Sequence, residues 1–177
     1  HSAIYDPFEH RMVTSGGDYL ADNDIVWSLG LGSPGWSASS PGGDVPGWRS
    51  DHVAIFDPVD YRMVIFGGDT FAAPWLNSSW AYALDGVGGW TELDTGFGAP
   101  TPRYGAAAIY DPVRDRMLVF GGLDRNGYRN DVWALNLRPV PNWEPIAAHG
   151  ATLPAGRAFH TAIYDPPRDR MIVHLEL

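Results

Sequence analysis

Three arginines, Arg49, Arg103 and Arg157, recur 54 residues apart in this chain. A ring of guanidinium groups set by repetition offers forks of donors that suit an anion. The same recurrence also suits a plainer duty, orienting the connector in which each arginine lies. Trp48, Trp75, Tyr128 and Arg129 sit in loops between the repeated segments. There an aromatic face or a guanidinium is placed for ligand contact. These seven residues are the candidate ligand-binding set. Tyr19, Asp22, Phe71, Asp124, Arg125 and His149 extend the same reading.

Reaction chemistry has much less to work with. Asp124, Asn126, Asn130 and Asp131, and separately Asp18, Asp22, Asn23 and Asp24, place oxygens at short spacing, as a calcium loop does. Neither set follows the full loop pattern, and Asn and Asp favour turns for local reasons. His1, His52 and His160 share one repeat position, which points to structure, and His10, His149 and His174 have no partner at ligand spacing. With no cysteine, thiolate catalysis and disulfides are excluded, and because all 12 basic residues are arginine, so is Schiff-base chemistry. No nucleophile elbow, phosphate-cradling loop or His-Glu-x-x-His is present. The reading is no catalytic residue, no metal ligand and no cofactor. A net charge of −9 opposes nucleic acid and anionic lipid. No apolar run approaches the length of a membrane-spanning helix, and the absence of a leader reads as a mature chain or an excised piece.

The elements that must position these residues are repeated. All four methionines, Met12, Met63, Met117 and Met171, close the same segment, in which Tyr5-Asp6-Pro7, Phe56-Asp57-Pro58, Tyr110-Asp111-Pro112 and Tyr164-Asp165-Pro166 align without a gap. Each segment reads as a strand (a), an Asp-Pro turn and a second strand (b). Gly16-Gly17, Gly67-Gly68 and Gly121-Gly122 end strand b. Trp27, Trp80 and Trp133 mark strand c, and Trp36, Trp90 and Trp143 mark strand d. Arg11, Arg62, Arg116 and Arg170 before the methionines read as turn and inter-repeat ion-pair partners of the aspartates. Four antiparallel strands per unit of about 50 residues is the pattern of a propeller blade.

The paired glycines, the strand-c aromatic and the strand-d Trp, which follows Trp80 and Trp133 by ten residues, resemble the kelch repeat. The Tyr-Asp-Pro-x-x-Asp-Arg-Met style looks like that of bacterial, exported kelch-type proteins. The resemblance implies an all-β kelch-like propeller with three complete four-stranded blades, about residues 1–48, 49–102 and 103–156, and a partial fourth blade at 157–177. It also implies a non-enzymatic binding scaffold, secreted or on the surface of a bacterium, that presents its b–c and d–a loops to a protein or a glycan. The alternatives are a carboxylate- or metal-dependent enzyme, for example glycan-active, at the propeller mouth, and a structural module that completes a ring by self-assembly. Three and a half blades do not close a ring, so further blades from the parent chain or from another copy are expected partners. The Trp residues of strands c and d are expected in the core. Ile163, Tyr164, Met171 and Ile172 are expected to be buried against protein.

Overall fold

A computed structural model describes residues 1–17, 25–70 and 75–174. The first sheet joins β1 (Ser2–Asp6), β2 (Arg11–Ser15), β3 (Val26–Gly30) and β4 (Gly35–Ser39); the second joins β5 (Val53–Asp57), β6 (Arg62–Phe66), β7 (Ser79–Ala83) and β8 (Trp90–Glu92). The third holds β9 (Ala107–Asp111), β10 (Arg116–Phe120), β13 (Val132–Asn136) and β14 (Asn142–Ile146), with a small hairpin, β11 (Leu123–Asp124) and β12 (Gly127–Tyr128), raised from its b–c connection. β15 (Thr161–Asp165) and β16 (Arg170–His174) form a two-stranded sheet in the place of a fourth. All pairings are antiparallel, and the first strands β1, β5, β9 and β15 adjoin in succession. The expected all-β blade architecture is therefore present.

Strand alternation gives each blade two apolar faces. Blade 2 turns Met63, Ile65, Trp80, Tyr82 and Trp90 onto Ile4, Val13 and Val26 of blade 1. Its other face, with Val53, Ile55, Val64 and Phe66, meets Met117, Val119, Leu135 and Trp143 of blade 3. Each side chain buried in this way contributes on the order of 1.5–3 kcal/mol.

The same repeat position has different fates in different blades. Trp80, Trp90 and Trp143 are buried, but Trp133 is half-buried, and Trp27 and Trp36 are 44% and 56% exposed. The core expectation is thus corrected for blade 1, because its Trp face is the one that meets a preceding blade and none lies against it here. The fourth hairpin shows the converse. Tyr164 and Met171 line a gap with Ile109 and Leu118 of blade 3, whereas Ile163 and Ile172 point the other way and are 62% and 37% exposed. Burial of all four is therefore not what the single chain shows.

At the a–b end each turn is closed by its own ion pair, Arg11–Asp6, Arg62–Asp57, Arg116–Asp111 and Arg170–Asp165, at 2.8–2.9 Å. In the first three turns the aspartate also accepts a backbone N–H two residues on. In the fourth that position is Pro167, which has no N–H, and a 3-10 turn over Pro166–Arg168 takes its place. Neighbouring blades join here too. Tyr61 Oη donates to Asp6 at 2.9 Å, Arg138 bridges Asp57 and Asp115, and Arg114 donates to both Asp111 and Asp169.

Candidate functional site

The b–c and d–a connections share the opposite end of the sheets, and the recurrent arginines hold that end together. The carbonyl of Arg103 accepts the N–H of Gly68 in the preceding blade at 2.9 Å, while its guanidinium donates to Gly121 O at 3.0 Å in its own blade. Arg49 repeats this with Gly17 N–H and Gly67 O, and the carbonyl of Arg157 accepts from Gly122 at 2.8 Å. The first glycine of each pair has to be glycine. Gly67 has φ +70°, and a Cβ there would lie 2.6 Å from Arg103 O. Sheet, arginine and next sheet are thus stitched in a fixed order.

Arg49 and Arg103 are 3% and 1% exposed. Arg49 also donates to Pro46 O, and Arg103 donates to Thr101 O and to both carboxylate oxygens of Asp131. Burial pushes Arg49 down to about 10, which leaves it cationic at neutral pH. These surroundings support the connector-orienting role for both. Arg157 is half-buried and donates to Ala155 O. Trp48 and Trp75 are half-buried, and Trp75 stands at φ 130°, outside the usual range for a bulky residue. Tyr128 is 64% exposed on β12. Arg129 lies between Asp124 and Asp131, at 3.6 and 3.8 Å. Although burial alone would raise it, Asp131 is held low by hydrogen bonds from Arg103 and Trp133. His149 and Arg125 are exposed. Tyr19, Asp22, Phe71 and the Asp18–Asp24 oxygen set lie outside the described residues.

The structure adds residues that the repeat did not single out. Phe97, between Gly96 and Gly98 in the d–a connector of blade 2, is fully exposed. Phe159, 60% exposed, occupies a left-handed position at φ 58° where the earlier blades have Asp51 and Gly105. Its ring packs edge-on to Tyr104 at 5.8 Å, a fit that Gly105 permits, since a Cβ there would meet Phe159 at 3.1 Å. A bulky residue at positive φ carries strain that its surroundings must hold. The available sequence signal was departure from the repeat at these positions. Two open clefts adjoin the loops of blade 2, one of about 400 Å³ lined by Asn77, Ser78 and Asp94, the other of about 720 Å³ lined by Asp44, Trp80 and Trp90, with Glu92 shared between them. Among the described residues no three His, Cys, Asp or Glu side chains are grouped to hold a metal ion.

Between blades 1 and 2, His52 Nε2 lies 2.6 Å from Ser2 Oγ. Burial, helped by the charge of Arg49, pushes His52 down to about 3, and His160 is lowered for the same first reason. A depressed histidine is neutral in the fold and takes up a proton when the chain unfolds. Its contribution is therefore complete above about pH 6.5 and is lost as pH falls from there towards 3, at roughly 1.4 kcal/mol per unit within the window. Urea midpoints measured from pH 8 to 4 are expected to fall through this range. His52→Ala, the residue found at the equivalent Ala106, is expected to flatten the fall. An unchanged slope in His52→Ala would place the effect on other groups.

A family model described as the KLHDC2/KLHL20/DRC7 Kelch-repeats domain matches residues 1–174. The leucine-zipper-like transcriptional regulator 1 homolog of Drosophila melanogaster is 29% identical over 175 residues, covering 94% of this chain and 17% of that protein. Dynein regulatory complex subunit 7 of Chlamydomonas reinhardtii is 33% identical over 105 residues, 59% of this chain and 9% of its own length. The dynein alpha chain of the flagellar outer arm from the same organism is 36% identical over 135 residues, 72% of this chain and 3% of its own length. The chain therefore spans only a small part of each of these relatives.

Proposed function

The chain belongs to the kelch-repeat family, and from that premise we propose that it is a non-enzymatic scaffold whose b–c and d–a loops bind a protein partner. The observation that carries the reading is the exposure of Phe97, Tyr128 and Phe159 at one end of a stitched set of blades. Large aromatics on a rigid frame are the usual anchors of protein interfaces. Two of the relatives are named as parts of larger assemblies, a dynein regulatory complex subunit and a dynein alpha chain, which accords with a protein-binding role. Those relatives come from Drosophila and Chlamydomonas and lend no support to a bacterial, exported setting, on which the proposal does not depend. The buried carboxylates Asp6, Asp57, Asp111 and Asp124 are engaged by hydrogen bonds that hold turns and connectors.

The test is selection of peptides from a displayed library against the chain, followed by binding to Phe97→Ser, Tyr128→Ser and Phe159→Ser. Each is expected to weaken the selected peptides by about 10-fold or more, while Val59→Ser and Val113→Ser at the a–b end leave them unchanged. The reverse pattern would overturn the loop-face assignment. Selective binding of oligosaccharides by the same rings, with no peptide retained, would replace a protein ligand with a glycan.

A further inference from the structure

The outer strand of blade 2 runs into two carboxylates that depart from the repeat. Glu92 and Asp94 stand two and four residues after Trp90, where blade 1 has Ala38 and Ser40 and blade 3 has Pro145 and Ala147. Both are exposed, as is Asp44 on the wall of the larger of the two clefts that meet at Glu92. Among the described residues none of these three forms an ion pair, whereas Asp124 and Asp131 at the loop end of blade 3 are paired with Arg129 and Arg103. The cation that Glu92 stabilises, Arg49, is itself buried and donates to Gly67 O, Pro46 O and Ser78 Oγ.

The cleft walls set apolar surface beside this charge. Trp80 and Trp90 line the larger cleft, Leu93 and Ala99 the smaller, and the fully exposed Phe97 lies in the same connector as Asp94. One donor is also left over. In blade 3 Asp131 accepts Trp133 Nε1–H at 2.8 Å, but the equivalent residue of blade 2 is Ser78, whose hydroxyl accepts from Arg49 at 3.3 Å. Trp80 is 9% exposed, and its Nε1–H has no acceptor in the chain. A buried donor left over beside an open cleft calls for an acceptor on whatever fills it.

Carboxylates without counter-charge, set beside aromatic and aliphatic walls, match a side chain with a cationic head and an aliphatic stem. The net charge of −9 steers a partner of the same kind. Given that the loops bind a protein, we infer that the partner engages blade 2 through a basic segment, with Arg or Lys heads at Glu92, Asp94 and Asp44, stems on the cleft walls, and a main-chain carbonyl for Trp80 Nε1–H. A complex of this kind weakens as salt screens the exposed carboxylates.

Fluorescence anisotropy tests this with a labelled Gly-Ser peptide bearing several arginines and a twin with citrulline in their place. The arginine peptide is expected to bind, less tightly as salt rises, and the citrulline twin is not. Glu92→Gln combined with Asp94→Asn is expected to weaken the arginine peptide about tenfold. Glu9→Gln combined with Asp85→Asn removes the same charge at the opposite end of the blades and is expected to leave binding unchanged. Circular dichroism of each variant checks the fold. Equal weakening by the two pairs, or equal binding of the two peptides, overturns the inference. So does chitohexaose bound through Glu92 and Asp94 with the arginine peptide not retained, which would make the ligand a glycan. Displayed-library peptides that are lost in Phe97→Ser, yet carry no basic residue and ignore Glu92→Gln, would overturn this inference and leave the loop-face reading standing; a library that yields no loop-dependent peptide would remove both.

Discussion

Arg103→Met is expected to cost about 3–5 kcal/mol of stability, the scale of breaking a buried ion pair by removing one partner. The guanidinium is 1% exposed and donates to Gly121 O, Thr101 O and both oxygens of Asp131, at 2.7–3.1 Å. Methionine fills most of the volume but donates nothing, so the buried Gly121 O and the Thr101 O each lose a donor and Asp131 is left with Trp133 Nε1–H and the more distant Arg129. Arg103→Lys is expected to recover part of the loss, because an ammonium reaches but lacks the planar fork. Urea denaturation measures both. If Arg103 instead served an exposed anion, the methionine variant would keep its midpoint, and a loss below about 1 kcal/mol would favour that role.

Trp143→Ala is expected to cost a similar amount, about 3–5 kcal/mol, as for large aromatics deleted from a core. Its ring lies 4.6 Å from Phe66 across the joint between blades 2 and 3, and its Nε1–H donates to Ser79 Oγ at 3.3 Å. Trp36 holds the same repeat position in blade 1 and is 56% exposed. Trp36→Ala is expected to cost less than about 1 kcal/mol. Equal losses from the two substitutions would show that repeat position, and not the presence of a neighbour, sets burial.

That pair of tryptophans also marks how far the sequence could be read. Strand number, the Asp-Pro turns and the glycine pairs recur in register, and backbone geometry follows local residue type, so the blades were legible. Burial of Trp36 was not, because it depends on a blade that must stand beside it. The arginines were ambiguous for a related reason: recurrence fits a guanidinium turned towards an anion as well as one turned towards a carbonyl, and only the surroundings of Arg49 and Arg103 decide. Tyr128 and Arg129 are candidates from the sequence because they lie in a loop between repeated segments. Phe97 and Phe159 depart from the repeat, but one aromatic in a Gly-rich connector carries little signal until the connector has a path. The β11–β12 hairpin falls within a stretch that the sequence marks only as a loop, since two-residue strands are too short to show alternation.

The stitch between glycine pair and arginine has a consequence for how such a chain comes into being on the ribosome. The N–H of Gly68 is satisfied by a carbonyl at residue 103, and that of Gly122 by one at residue 157. A sheet whose four strands have all emerged therefore still has an unmet donor at its rim, and the first residues of the next repeat must arrive before it is complete. The hydrogen-bonded span is accordingly out of phase with the repeat seen in the sequence: it runs from the glycine pair in the middle of one blade to the arginine at the threshold of the next.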